Sequence, residues 1–171
     1  MTMIQVVDVK GQTIGAMEKI SAHLDGGIWH RAISVFLFDS SGRLLIQQRA
    51  QEKYHFGGLW ANSCCSHPTS DETPVQAATR TMAFELGVSA QVSEVGVVRY
   101  EAFDAISGQT EREHDHVLIG RFDGNVRPNP DEVLAVRWIS TEDLRAEIDQ
   151  KPEIYAPWLP VILDEIPMFD L

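Results

Sequence analysis

The chain predicts an α/β (α+β) fold in which a mixed β-sheet is sandwiched between helices. Three features of the 171 residues point there: paired apolar segments separated by short turn signals, a capped amphipathic helix between the early and late pairs, and helical patterns near the end. Residues 4–9 and 13–16 flank Lys10-Gly11-Gln12 and predict a hairpin. Residues 31–39 and 44–48 are two further strands, joined by Ser40-Ser41-Gly42-Arg43. Residues 51–70 form a long irregular segment carrying His55, Gly57-Gly58, both cysteines, His67 and Pro68, the kind of loop on which functional groups are mounted. Thr73 caps a helix that starts at Pro74 and stops before Gly87. Val75, Ala78, Thr79, Met82 and Leu86 are expected to face inward, with Thr81 and Glu85 along the margin of that face. Strands follow at 94–103, 111–122 and 136–139, then a short helix capped by Ser140-Thr141-Glu142-Asp143 and a last helical stretch at 157–166.

The length suits a single domain spanning 1–171, with 44% hydrophobic residues to fill one core. Fourteen basic against twenty-five acidic residues leave a formal charge of −11, which repels nucleic acid and anionic membrane surfaces. Neither is expected as a partner, and no obligate protein partner is expected. An anionic substrate would need positive charge supplied locally, by a few basic residues or a metal ion. No run of eighteen apolar residues exists and residues 1–10 lack a signal-peptide pattern, so a cytoplasmic protein is expected. Cys64 and Cys65 are neighbours, and bridging them would strain the peptide between them, so both are expected as free thiols.

Two constellations stand out. His23, His30, His67, Glu111 and Glu113 offer three imidazoles and two carboxylates, and Glu111 and Glu113 leave a predicted strand by the same face. Asp25-Gly26-Gly27 is a flexible link through which His23 and His30 could reach one centre. His114 and His116 face the other way and read as polar residues of the opposite surface, although an HxH pair on a strand is also a metal-binding pattern. In Asn62-Ser63-Cys64-Cys65-Ser66-His67-Pro68, an extended backbone points Cys65 and His67 one way and Cys64 the other, separating a reactive thiol from a packing one.

Glu72 with Arg80-Thr81-Met82-Ala83-Phe84-Glu85-Leu86-Gly87-Val88 resembles the second half of the Nudix box, whose carboxylates hold Mg²⁺ against a diphosphate. Thr81 and Phe84 stand where Nudix hydrolases keep two acids, and Ser66 stands where the box begins with Gly. Over roughly residues 15 to 160 the chain resembles the type I isopentenyl diphosphate isomerases, which are Nudix-fold enzymes. The resemblance rests on Glu18-Lys19, His23, His30, Gln48-Arg49-Ala50, Lys53, Gly58-Leu59-Trp60-Ala61-Asn62-Ser63, Cys65-Ser66-His67-Pro68, Glu85-Leu86-Gly87, Glu111-Arg112-Glu113 and Pro157-Trp158, in that order.

The resemblance implies interconversion of isopentenyl and dimethylallyl diphosphate, by adding a proton at C4 and removing one from C2. It implies Cys65 and Glu113 on opposite sides of the allylic unit, Tyr100 assisting Glu113, and Trp158 facing the cationic carbon. It implies Mn²⁺ or Zn²⁺ on His23, His30, His67, Glu111 and Glu113, and Mg²⁺ brought to the diphosphate by Glu85. Lys19, Arg49 and Lys53 match the family's phosphate contacts, whereas Thr81 replaces a common phosphate-binding arginine. Two other readings are a Nudix hydrolase of a nucleoside diphosphate derivative and a non-enzymatic domain with structural zinc. The first lacks its full set of acids here, and the second is usually richer in thiolate.

Overall fold

The computed structural model describes residues 1–167, so positions 168–171 of the expected 1–171 domain lie outside the described residues. β1 (Met3–Val7) and β2 (Thr13–Glu18) form the expected hairpin, and a short helix, α1 (Lys19–His23), follows directly. β3 (His30–Phe38) and β4 (Leu44–Arg49) come next. The segment expected to be irregular holds two short strands, β5 (Trp60–Ala61) and β6 (Cys64–Ser66). Helix α2 (Pro74–Thr81) runs into a π-helical turn (Met82–Leu86). The long strands β7 (Val92–Asp104) and β8 (Gln109–Arg121) then precede β9 (Val133–Ile139). Helix α3 (Thr141–Gln150), a 3-10 turn (Pro152–Ile154) and α4 (Trp158–Glu165) close the described chain.

Among the described residues nine strands make one mixed sheet centred on β3. β8 runs parallel to β3 along its whole length, from His30 opposite Glu113 to Phe38 opposite Arg121. Antiparallel β1, β6 and β4 share successive stretches of β3: Val6 lies opposite His30, Ser34 opposite Cys65, and Leu44 opposite Phe38. β7 pairs antiparallel with β8, and β9 with β4. A parallel pair needs a long crossover, and here it brings residues far apart in sequence side by side.

Alternation along β3 divides the interior in two. Phe36 joins Leu44, Ile46, Leu144, Trp158, Leu159 and Ile162 under α3 and α4. Ile33, Val35 and Leu37 pack on the other side against Ala77, Ala78, Met82 and Leu86. Each fully buried Phe, Leu, Ile, Val or Met among them contributes roughly 1.5–3 kcal/mol. Helices therefore cover both faces of the sheet, as expected. Among the described residues no helix is long and apolar enough to cross a membrane.

The Thr73 cap holds: its hydroxyl accepts from the Gln76 N–H at 3.3 Å while the Gln76 side chain accepts from the Thr73 N–H at 2.9 Å. Gly87 ends the helical run in a left-handed cap, φ 62°. The inward face is rotated from the expected one. Ala77, Ala78, Thr81, Met82, Glu85 and Leu86 are buried, whereas Val75 is exposed and Thr79 turns its hydroxyl back to the Val75 carbonyl at 2.9 Å. The π turn adds a residue to the helix's last turn. Met82 and Leu86 stay in the core, Glu85 is buried at the cavity described below, and Phe84, 60% exposed, also lines that cavity.

Candidate active site

The metal-like set comes together. α1 ends on His23, and Asp25, Gly26 and Gly27 then take left-handed backbone at φ 51°, 86° and 70°, reversing the chain so that His30 opens β3. His67 follows β6, and β8 turns Glu111 and Glu113 to one face, with Glu113 opposite His30. One donor atom from each of His23, His30, His67, Glu111 and Glu113 lies within 4.8 Å of the others, and all five residues are buried.

These residues fit a divalent ion. The Nδ1 atoms of His23 and His30 lie 2.6 and 2.7 Å from the carbonyls of Lys19 and Ile28, so each Nδ1 carries the proton and each Nε2 turns its lone pair inward. Those lone pairs meet carboxylate oxygens: His23 Nε2 is 3.1 Å from Glu111 Oε2, and His30 Nε2 is 3.7 Å from both Glu111 and Glu113. Acceptor facing acceptor calls for a cation between them, and the buried His30 Nε2 has no hydrogen-bond partner. Without an ion a proton can serve: burial opposes it, but the two glutamates push the His30 imidazole up to about 10.

The acid and the thiol share one cavity, lined by Cys65, Tyr100, Glu113 and Trp158 among others. Burial, and then the charge of Glu111, push the Glu113 carboxyl well above the usual carboxylate range. Tyr100 lies opposite Glu113 across the β7–β8 ladder and its hydroxyl donates to Glu113 Oε2. His67 Nε2 is 2.9 Å from Glu113 Oε1. Burial, and then Asp115, push the Cys65 thiol up to about 12. The thiol donates to Asn62 Oδ1 at 3.1 Å, and the same oxygen accepts from the Trp158 indole at 3.1 Å. Cys64 is buried in the core on the α2 side, as its parity predicts.

Lys19, Arg49, Lys53, Thr81 and Glu85 line the same cavity. Burial pulls the Lys19 ammonium below its ordinary range, and it sits 4.2 Å over the Tyr54 ring. Glu85 stands apart from the five-residue cluster, held by Gln47 at 2.9 Å and by Lys53 at 3.0 Å, and Lys53 also contacts Glu132. The Thr81 hydroxyl is buried without a hydrogen-bond partner. Arg80 does not replace the missing charge freely, because Glu72 grips its Nε and Nη2 at 2.7 Å each.

Four site residues were given no role by the sequence, although Asn62 and His55 lie in segments it singled out. Asn62 links the thiol to the indole. Ser34 donates to Asp115 at 2.7 Å and lies 3.5 Å from the Cys65 sulfur, directly opposite it on β3. Asp115 continues the Glu111, Glu113 alternation, so the same two-residue period could have found it. His55 is buried against Glu111 and Arg49 and carried no spacing signal. The loop that bears it is well fixed: Phe56 adopts left-handed backbone at φ 49°, its N–H donating to Asp104 at 3.0 Å and its carbonyl accepting from Arg49 at 3.1 Å.

Residues 28–161 match the NUDIX domain family. The chain is 47% identical to the isopentenyl-diphosphate Delta-isomerase of Nocardia farcinica, over 94% of this chain and 92% of that protein. It is 41% identical to the enzyme of the same name from Halorhodospira halophila, over 99% and 98%. A crystal structure of DR0079 from Deinococcus radiodurans superposes with a TM-score of 0.78 at 20% identity, covering 96% of this chain and 98% of that one, which supports the fold. The sequence resemblance, the geometry and these relatives agree: the chain belongs to the NUDIX domain family and, within it, to the isopentenyl-diphosphate Delta-isomerases.

Proposed function

We propose that the protein interconverts isopentenyl and dimethylallyl diphosphate by moving one proton on and one proton off a five-carbon olefin. The observation that carries this reading is that the Cys65 sulfur and the Tyr100-bound carboxyl of Glu113 line one cavity beside Trp158. An unactivated alkene is a poor base, so the acid must be strong, dry and close. In the forward direction the Glu113 O–H protonates C4, leaving a tertiary cation, and the Cys65 sulfur takes the C2 proton; burial makes the thiolate that this step requires the minor form, so the thiol must first be deprotonated. In reverse the Cys65 S–H protonates C2 and the Glu113 carboxylate takes the proton from C4. The hydroxyl of Tyr100 stabilises the Glu113 anion between the two steps. Trp158, 2% exposed and tethered by Asn62, offers a π face to the cationic carbon, a contact worth up to about 2 kcal/mol when desolvated.

A divalent ion on His23, His30, His67, Glu111 and Glu113, Mn²⁺ or Zn²⁺ by donor type, would supply fixed positive charge that favours proton release from Glu113. Lys19, Arg49 and Lys53 would meet the diphosphate, and Glu85 would hold the Mg²⁺ that accompanies it. Hydrolysis of a nucleoside diphosphate derivative is the less favoured reading: Thr81 and Phe84 leave the box without two acids, and the curated relatives are named isomerases.

Proton NMR of isopentenyl diphosphate with purified protein, Mg²⁺ and Mn²⁺ or Zn²⁺ tests the proposal. New allylic signals are expected. Phosphate release without them would overturn it.

A further inference from the structure

We infer that His55 is a positioning residue: one imidazole ties the guanidinium of Arg49 to the carboxylate of Glu111, so that a phosphate contact and a metal ligand are held by the same ring. The inference rests on the roles given above to Arg49 and Glu111.

His55 is 4% exposed and its ring centroid lies 5.3 Å from that of His23, which makes it look like a fourth imidazole ligand. Its hydrogen bonding says otherwise. Arg49 Nη2 is 3.1 Å from His55 Nδ1. A guanidinium has only N–H groups to offer, so Nδ1 must accept, and the proton of the neutral ring is left on Nε2. An imidazolium would set N–H against N–H at Arg49. Nε2 sits against Glu111 Oε1, so the proton-bearing nitrogen and the carboxylate oxygen are in contact. A nitrogen that carries a proton has no lone pair for an ion, and the five-residue cluster holds His23, His30 and His67 but not His55.

The two oxygens of Glu111 are thereby divided. Oε1 is taken by His55, and Oε2 faces the Nε2 atoms of His23 and His30. The same Arg49 Nη2 donates to the His55 carbonyl at 3.0 Å, so ring and backbone are clamped by one group. Outer partners of this kind fix the orientation of a metal-binding carboxylate, and losing one typically costs 10–100-fold in affinity.

The test measures Zn²⁺ affinity of the metal-stripped protein by competition with a fluorescent chelator, the visible spectrum of the Co²⁺-loaded protein, and KM for isopentenyl diphosphate. His55→Ala is expected to weaken Zn²⁺ by about 10–100-fold, to raise KM, and to leave the Co²⁺ band positions unchanged. His55→Gln is expected to recover both constants, because its amide can accept from Arg49 and donate to Glu111. Unchanged Zn²⁺ affinity in His55→Ala would overturn the inference. So would a shifted Co²⁺ spectrum with no recovery in His55→Gln, which would make the ring a ligand. Weakened Zn²⁺ with unchanged KM would overturn the link to Arg49. An intact His55 dependence of Zn²⁺ binding in a protein that never isomerises the substrate would sink the functional reading alone.

Discussion

Between residues 111 and 116, β8 turns Glu111, Glu113 and Asp115 to one side and Arg112, His114 and His116 to the other. The inward acids are buried; Glu111 and Glu113 meet imidazoles from α1, β3 and the segment after β6, and Asp115 accepts from Ser34. The outward histidines keep different company. Arg31 contacts His116 Nε2 and donates to the Gly11 carbonyl at 2.7 Å, while Glu94 lies 3.1 Å from His116 Nδ1. The His114 ring fills the space where a Cβ at Gly11 would stand. Burial, then His116, Arg31 and Arg99, pull His114 down to about 4. An HxH pair on a strand is thus no metal site when a guanidinium already occupies the approach. What distinguishes the two faces is the company each side chain keeps, not the ligand chemistry of its residue type.

Swapping residues across this divide should produce the largest contrast. Cys65→Ala and Glu113→Gln are each expected to lower turnover by about 10³-fold or more with the fold retained, whereas His114→Asn and His116→Asn keep it near the wild-type value. Isomerisation followed by NMR, with circular dichroism as the fold control, checks this. Substantial activity in either of the first two would break the assignment. Metal binding should divide the same way. His67→Ala is expected to weaken Zn²⁺ by more than about 100-fold, while the double variant His114→Asn/His116→Asn binds like wild type, as measured by chelator competition. Equal losses in both would erase the distinction.

Smaller effects sharpen it. Thr81 contributes a buried hydroxyl and no charge to the inward cavity. Thr81→Arg should lower KM by roughly tenfold, the worth of one charge-assisted hydrogen bond, and an unchanged KM counts against diphosphate at that position. Stability should respond to pH with opposite sign on the two faces. Burial, eased by Ser34 and then reinforced by Glu111, holds Asp115 up at about 8 from its ordinary 3.8. The folded protein keeps a proton there that the unfolded chain releases, so stability is full below about pH 4, falls as pH rises towards 8, and levels off above it. Asp115→Asn avoids that loss, and its stability relative to wild type should climb over this window. His114 is depressed, so its share is lost as pH falls from 6.5 towards 4, and His114→Asn should gain at the acid end. Urea midpoints at pH 4.5, 6.5 and 8 read both, and parallel curves for the two variants would refute the contrast.

The parity of Glu111 and Glu113 against His114 and His116, and of Cys65 against Cys64, was legible because a strand's period of two needs no knowledge of its neighbours. So were the Thr73 cap and the Gly87 stop. The rotated face of α2 was not: Val75 and Thr79 satisfy a helical projection, but the sheet beneath accepts Ala77, Ala78, Thr81 and Met82. The roles of His55 and Ser34 were invisible for a related reason. Their importance comes from pairing with Arg49, Glu111, Asp115 and Cys65 across strands and loops, and no local pattern encodes such a meeting. Thr81 was placed beside Glu85 by helical geometry and marked as a departure from the family, and the structure adds that Arg80 is already committed to Glu72.

The parallel alignment of β3 with β8 also dictates an order of assembly. His23 meets Glu111 across eighty-eight positions of chain, and the Trp158 indole reaches Asn62 across ninety-six. During synthesis the early histidines emerge long before the carboxylates that complete their cluster, so a ribosome-bound chain offers imidazoles and thiols but no finished cage. Capture of an ion by this cluster would therefore be a late event, set by the arrival of the second half of the polypeptide, and a truncated product ending before β8 would lack both anionic donors of the cluster.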